Sequence, residues 1–546
     1  MTKKIYDYVI IGSGSAGSVV AARLSEDPTL RVLLLEAGPR DNHLFVRMPA
    51  ALGFPLKDDR FNWLYHSQPE PSLGGRRVYQ PRGRVLGGSS SINGMIWVRG
   101  NPWDFDNWEA KGASAWSYKD VLPYFKKAET FDQGPDAYRG DRGPMKISTS
   151  SASHPLFKAF LDAGEQAGIP RTPDQNGYQQ EGIHITQRNI SGGLRWSASR
   201  GYLQSQKPNL TVLTGVLVTG IDTSNKRAVR VRAKGGAEDY VFEVEREVIL
   251  CAGALNTPKL LMISGIGHAE DLRAAGIAVK HDLPGVGRGL KDHVGARLSY
   301  GVSKDVSLAN KLTIPGRALL GLEWLLFKKG IGSRNFWDVG AFLRTRRGLP
   351  APNIQFEFSP LLGNFEPGLL TVEHGFSHFV SLQRPRSSGR VWVDSGDPAA
   401  PPRFLVNYLE DRDDLDQLVE GFKFARQVVQ QRAWDQFRGR ELKPGSEATS
   451  DDDLRKWLPT VAGTNFHLAC SCRMGQDDMA VTDPDGRVHG MDNLRIVDAS
   501  VMPEMVTANT NATVIMLAEK LSDAILGKIL SAEPQPYYNA DDHVVH

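Results

Sequence analysis

The chain has 546 residues, with 41% hydrophobic and 23% charged side chains and a formal net charge of +3, a balance that excludes a disordered or fibrous protein and gives no electrostatic footprint for nucleic acid. A length of this order calls for two domains, sequential or interleaved. Three cysteines, Cys251, Cys470 and Cys472, are too few for a disulfide framework and point to a reducing compartment, the cytoplasm. The apolar run Tyr6–Ile11 is too short for a signal-peptide core, and none reaches the roughly 18 residues of a membrane helix, so no transmembrane segment is expected, although peripheral attachment is not excluded.

Residues 5–11 read as a buried strand, Gly12-Ser13-Gly14-Ser15-Ala16-Gly17 as a turn, and Ser18 to Leu24 as a helix. A second strand from Arg31 to Leu35 ends at Glu36, followed by Ala37, at about the 20-residue spacing at which an acid reaches a ribose diol. Glycines at these positions permit a tight turn and let backbone N–H groups approach a pyrophosphate at the helix N-terminus. The acid disfavours a 2′-phosphate, and this motif alone leaves FAD and NAD both open.

Pro81 to Gly94 gathers glycines and small hydroxyl residues, including Gly88 and Ser89, as suits backbone running against a flat or phosphorylated ligand. Further on, a strand ending at Cys251-Ala252 is expected to enter an apolar helix that starts at Thr257-Pro258 and stops at Gly265. Residues 151–195 and 296–460 lack the glycine motifs and alternate as strands do. That pattern argues against reading His374 and His378 as a helical metal pair, and Cys470 and Cys472 are too close together for a structural zinc site, so no metal is expected. Leu494 to Ser500 reads as a strand entering a turn, and Thr513 to Ile525 as a helix with an apolar stripe.

Residues 83–97 and 253–267, with the first turn, resemble the two signature stretches of the glucose–methanol–choline (GMC) flavin oxidoreductases, and the order of segments matches along nearly the whole chain. Within that family the resemblance is greatest to choline dehydrogenase-like alcohol dehydrogenases, through Phe61 to His66 and Gln179 to Gly182. The fold it implies is α/β: a Rossmann-like FAD-binding domain interleaved with an α+β substrate domain built on an antiparallel sheet. FAD-binding parts are expected at 1–150, 196–295 and 461–530, substrate parts at 151–195 and 296–460, and a tail at 531–546.

The resemblance also implies FAD as cofactor, held by residues 12–17, Glu36, Ala37, Arg84, Val85, Gly88, Ser89, Asn93, Gly94, Met95, Ile96, Val218, Asp498, Ala499 and Thr510. Some relatives link a histidine covalently to the flavin; Ile92 stands at that position here, so a non-covalent FAD is expected. A histidine between Phe466 and Leu468 reads by itself as a core side chain. By resemblance His467 is the catalytic base, a task suited to an imidazole titrating near neutrality. Asn509 falls at the second catalytic position, to hold the substrate oxygen as charge develops, whereas Asn511 better fits a cap or turn.

Leu468, Cys470 and Ser471 depart from the commonest pattern around the base. Trp63, Trp337 and Phe466 match an aromatic box of the kind that holds quaternary ammonium groups. The carboxylate expected nearby is replaced by Gly295, while Glu357 stands where relatives place a histidine facing the substrate. The implied reaction is oxidation of a primary alcohol to an aldehyde by hydride transfer to flavin, with oxygen or a quinone-like carrier as electron acceptor. Alternatives are an FAD-containing hydroxynitrile lyase-like activity and a choline or amino-alcohol dehydrogenase in the narrow sense.

Overall fold

A computed structural model describes residues 4–539 apart from 206, 364–371 and 446. Of the expected tail, 540–546 lie outside the described residues, and 531–539 form neither helix nor strand.

The strands Lys4–Ile11 and Val32–Glu36 pair in parallel, with Tyr8 opposite Val32 and Ile11 opposite Leu35. Tyr8–Ile11 and Val32–Leu35 within them are continuous apolar runs rather than alternating ones, because a parallel sheet is covered on both faces; Val9, Ile10, Leu33 and Leu34 are fully buried. Leu210–Thr214 adds in parallel on one side, and Glu238–Leu250 followed by Leu494–Ile496 on the other. Antiparallel strands Arg227–Gly235 and Leu217–Ser224 extend the sheet to seven. Since the five parallel strands run the same way, Ile11, Glu36, Leu250 and Ile496 end at one edge, where an open α/β sheet presents its ligand crevice.

A second seven-stranded sheet is wholly antiparallel, in the order Arg438–Lys443, Val294–Val302, Phe376–Leu382, Ile354–Ser359, Val339–Leu343, Gly182–Ile185, with Gly463–Thr464 also paired to Val294–Val302. The helix Arg412–Gln430 lays Leu418, Phe422 and Ala425 into the core beneath it. The strand reading of 376–382 holds, and His378 sits within it among Phe160, Phe358 and Trp434. Burial pushes its pKa down to about 3, which keeps it neutral.

One helix differs from expectation. It spans Gly253–Ile263, so Pro258 lies inside it rather than at its start. Proline there cannot bond the carbonyl four residues back, which would leave the oxygen of Ala254 without a helical partner. The Ser471 hydroxyl donates to that oxygen at 2.6 Å, so a distant segment satisfies what the local pattern leaves open. The C-terminal helix runs Thr510–Leu526, three residues longer at its start than expected.

Candidate active site

At the crevice edge of the parallel sheet and against one face of the antiparallel sheet lies a cavity of about 1090 Å³, at the upper end of ordinary small-molecule pockets. Its parallel-sheet half is built from local contacts. Glu36 ends its strand buried, with Oε2 accepting from Ser13 N at 3.1 Å and Ser13 Oγ at 2.6 Å, and Oε1 from Gly38 N at 2.8 Å. Burial raises its pKa, and these bonds work against that rise.

Two glycines of the first turn serve different ends. A Cβ on Gly17 would lie 1.9 Å from the Gly12 carbonyl oxygen, so that glycine is dictated by helix–strand packing. A Cβ on Gly14 would meet no protein atom closer than 3.9 Å, yet Gly14 lines the cavity. The room kept open there belongs to a ligand. The helix Ser15–Leu24 begins at the same point without a side-chain cap, which leaves its N-terminal N–H groups and dipole for an anion such as a pyrophosphate. These features fit FAD, whose ribose would meet Glu36 and whose phosphates would meet Gly14 and Ser15.

Of the expected cofactor residues, Gly12, Gly14, Ser15, Ala16, Glu36, Ala37, Gly88, Ser89, Asn93, Gly94, Met95, Ile96, Val218, Asp498, Ala499 and Thr510 line the cavity. Four stand behind it. Ser13 is fully buried and holds Glu36, Gly17 packs under the turn, Val85 belongs to the core, and the Arg84 guanidinium sits 5.1 Å from the centre of the Trp63 ring. Ile92 lines the cavity and offers only aliphatic carbon.

The other half is assembled from segments far apart in sequence. His467 follows Phe466, which has φ of +68°, and precedes Cys470, with φ of +71°, a backbone that non-glycine residues adopt only when their surroundings impose it. Asp292 imposes much of it. Its Oδ1 accepts from the His467 backbone N at 2.7 Å, while Oδ2 takes Thr464 Oγ1, Tyr408 OH and Gln80 Nε2 at 2.5 to 2.7 Å. Arg82 donates to the Phe466 carbonyl at 2.9 Å.

The His467 ring is held at both nitrogens. Nδ1 lies 2.9 Å from Nδ1 of His293, and Nε2 lies 3.2 Å from Asn509 Nδ2. Asn509 is in turn oriented by Gln355 Nε2, which donates to its Oδ1 at 3.1 Å, and by Glu357 Oε1, which accepts from its Nδ2 at 3.1 Å. With the amide N–H facing it, His467 Nε2 carries a lone pair. The ring proton then sits on Nδ1 and is donated to His293, whose own proton must be on Nε2. Burial, followed by the proximity of His293, which would repel a second imidazolium, and the charge of Arg82, drives the His467 pKa well below its usual value, and burial brings His293 to about 4. Both rings are neutral at pH 7, and Nε2 of His467 is a free base.

Asn509 occupies the position before the helix Thr510–Leu526, but its side chain makes no cap bond. Nor does Asn511 cap or close a turn as expected; its Oδ1 accepts from Ser15 Oγ at 2.7 Å, tying this helix to the first turn. Trp63, Trp337, Glu357 and Phe466 all line the cavity. Gly295 lines it too, and a Cβ there would lie 2.4 Å from the Val380 carbonyl oxygen and 2.9 Å from the Phe379 ring, so the neighbouring strand and its aromatic edge close the place where a carboxylate was looked for. Sequence reasoning missed His293, Asp292 and Gln355. The signal for Gln355 was present, since Gln355, Glu357 and Ser359 put polar residues on one face of a strand whose other face, Ile354, Phe356 and Phe358, is apolar.

A dinucleotide cradle opening onto a buried, neutral histidine fits a flavin-dependent oxidoreductase. The chain belongs to the GMC oxidoreductase family: the model of the family's N-terminal part matches residues 6–295 and that of its C-terminal part residues 385–518. It is an FAD enzyme of the alcohol-oxidising kind that this family comprises. A protein of Paraburkholderia xenovorans (strain LB400) named oxygen-dependent choline dehydrogenase is 46% identical over 549 residues, covering 99% of this chain and 98% of the relative. Among solved structures, pyridoxine 4-oxidase from Mesorbium loti is 29% identical, with a TM-score of 0.87 over 96% of this chain and 99% of the other. Formate oxidase from Aspergillus oryzae RIB40 is 26% identical, with a TM-score of 0.90 over 96% and 98%.

Proposed function

We propose that the protein oxidises a primary alcohol to an aldehyde, with His467 Nε2 accepting the hydroxyl proton and the Asn509 Nδ2–H that faces Nε2 turning to the substrate oxygen as it gains charge, while the other stays on Glu357. The observation that carries this reading is the clamp on His467, with Nδ1 against His293 and Nε2 facing Asn509 and the cavity. Bound FAD supplies the acceptor for the hydride leaving the alcohol carbon. General-base help of this kind contributes about 10²–10⁴-fold, and a placed donor on the oxygen about 10²–10³-fold.

The FAD is non-covalent, supported by Ile92 at the position of the linking histidine, so denaturation releases it intact into the supernatant. The domain division follows the segments given above, with 1–150, 196–295 and 461–530 holding FAD. Three cysteines, all free and buried, support a reducing compartment, the cytoplasm. The name of the relatives supports oxygen as electron acceptor over a quinone-like carrier.

A second reading narrows the substrate to choline or another amino alcohol. The relatives' name supports it, as does the buried carboxylate of Glu357 in a cavity that also presents Trp63, Trp337 and Phe466. Anaerobic stopped-flow against choline, other amino alcohols, benzylic, furan and straight-chain alcohols separates the readings. Fast bleaching of the flavin absorbance by choline alone establishes the narrow one, bleaching by uncharged alcohols the broad one, and no bleaching by any alcohol removes both. Repetition in air, against a quinone under argon, reports the acceptor.

A further inference from the structure

The helix Ile314–Phe327 has its polarity reversed. Among the described residues, sixteen large hydrophobic side chains are exposed, and six of them lie on this one helix: Ile314 at 84%, Leu319 at 69%, Leu322 at 53%, Leu325 at 50%, Leu326 at 65% and Phe327 at 65%. Leu319, Leu322 and Leu326 follow helical spacing, so they form one outward stripe. The inner side is anchored by Trp324, which is 2% exposed, packs with Met48 and Ala51 and donates to the Gly193 carbonyl at 2.7 Å. Phe45 packs on the same cluster and stacks on exposed Phe54 at 4.4 Å, continuing the apolar surface.

Both ends of the stripe are basic. Lys311 precedes the helix and Lys328 and Lys329 follow it, with Glu323 the only acid within it. Lys328 and Lys329 also wall a polar cavity of about 450 Å³ together with Lys146, Arg188 and Arg334. The acids at hand are Asp132 in its wall, Glu323, whose carboxylate lies against Gly330, and Asp338, which lies 3.1 Å from Arg188 and 3.7 Å from Arg334. Cations outnumber carboxylates at this end of the stripe.

From this juxtaposition we propose that the helix docks the enzyme on the surface of an anionic phospholipid bilayer, leucines in the acyl boundary and the flanking lysines against headgroup phosphates. Fourteen residues give a length of about 21 Å, short of the roughly 30 Å hydrocarbon core, so the helix lies in the interface plane. Charge argues against a second copy as the cover: with lysines at both ends, either antiparallel or parallel apposition of two such helices sets base against base. The 49–57 segment beneath the helix also supplies Leu52 and Leu56 to the large cavity, so docking here would bring the cofactor cavity close to the bilayer.

The test is co-sedimentation of the yellow holoenzyme with phosphatidylglycerol–phosphatidylcholine vesicles, with pure phosphatidylcholine vesicles and size-exclusion light scattering alongside. The wild type is expected to pellet with the anionic vesicles only and to be released by salt. Leu322→Asp/Leu326→Asp should weaken vesicle binding at least about tenfold and Lys329→Ala about fivefold, both with flavin content and alcohol-dependent bleaching unchanged. A wild type that stays in the supernatant overturns the proposal, as does a double variant that pellets like the wild type. So does a wild-type dimer that the double variant converts to monomer without any vesicle binding, for then a second copy is the cover.

Discussion

The two halves of the cavity are built by opposite means. On the parallel-sheet side the contacts that hold the cradle's acid are short in sequence: Ser13 reaches Glu36 across 23 residues and Gly38 reaches it across two, and Ser15 adds one long tie to Asn511 across 496. On the antiparallel side His293 meets His467 across 174 residues and Glu357 meets Asn509 across 152. The first half fixes a ligand's position with backbone and one carboxylate. The second fixes protonation states with a chain of side chains, each useful only when its neighbour is in place. Cofactor retention and chemistry should therefore fail separately, and mutations can show whether they do.

The largest break is expected at the base. His467→Ala should lower the rate of flavin bleaching by an alcohol at least about a hundredfold while FAD content stays at one per chain; near-normal bleaching would remove His467 from its role. The mirror-image break is Glu36→Ala. A hydrogen bond to a charged group contributes about 1.5–3 kcal/mol, so FAD affinity should fall on the order of tenfold to a hundredfold. The FAD-saturated variant should bleach at the wild-type rate. Equal FAD retention by variant and wild type under dialysis would show that Glu36 does not bear on the ribose.

How far each half was legible follows from the same contrast. The cradle could be read because a strand, a glycine turn, a helix and an acid at fixed spacing are themselves the structure. His467 and Asn509 were found by resemblance alone, since neither has a local pattern that tells a base from a core histidine or a donor from a cap. His293 and Asp292 lie in an unremarkable run before a strand, and only the pairing of Val294 with Thr464 brings them under His467. Pro258 misled for the same reason: Ser471, which makes it tolerable inside the helix, is 217 residues from Ala254.

His293 offers a finer test of the second half. His293→Ala leaves the Nδ1 proton of His467 without an acceptor, at about 1–3 kcal/mol for a buried donor, and frees the ring to take the other tautomer. Bleaching should slow by about tenfold, with FAD content unchanged. His293→Asn sets an amide oxygen near the lost nitrogen and should restore most of the rate. Equal damage by Ala and Asn would mean that His293 serves only to fill space.

The smallest expected effect concerns charge. His467 works deprotonated, and its pKa is depressed by burial first, then His293, then Arg82. The rate should therefore be flat through neutral pH and fall only in acid, below the usual histidine range, as the base is protonated. Removing the third contribution moves that limb without abolishing it: Arg82→Gln should shift the acid limb toward neutrality and leave the plateau nearly intact. Arg82 also donates to the Phe466 carbonyl, so a shifted limb has two candidate causes, lost charge or lost backbone support. Arg82→Lys separates them by keeping the charge while giving up the guanidinium fork. A Lys variant with the wild-type limb assigns the shift to charge, whereas one that follows Gln with a lowered plateau assigns it to the left-handed backbone at Phe466. In that case the two halves of the cavity differ less than their sequence separations suggest, because the base too would depend first on where the backbone is held.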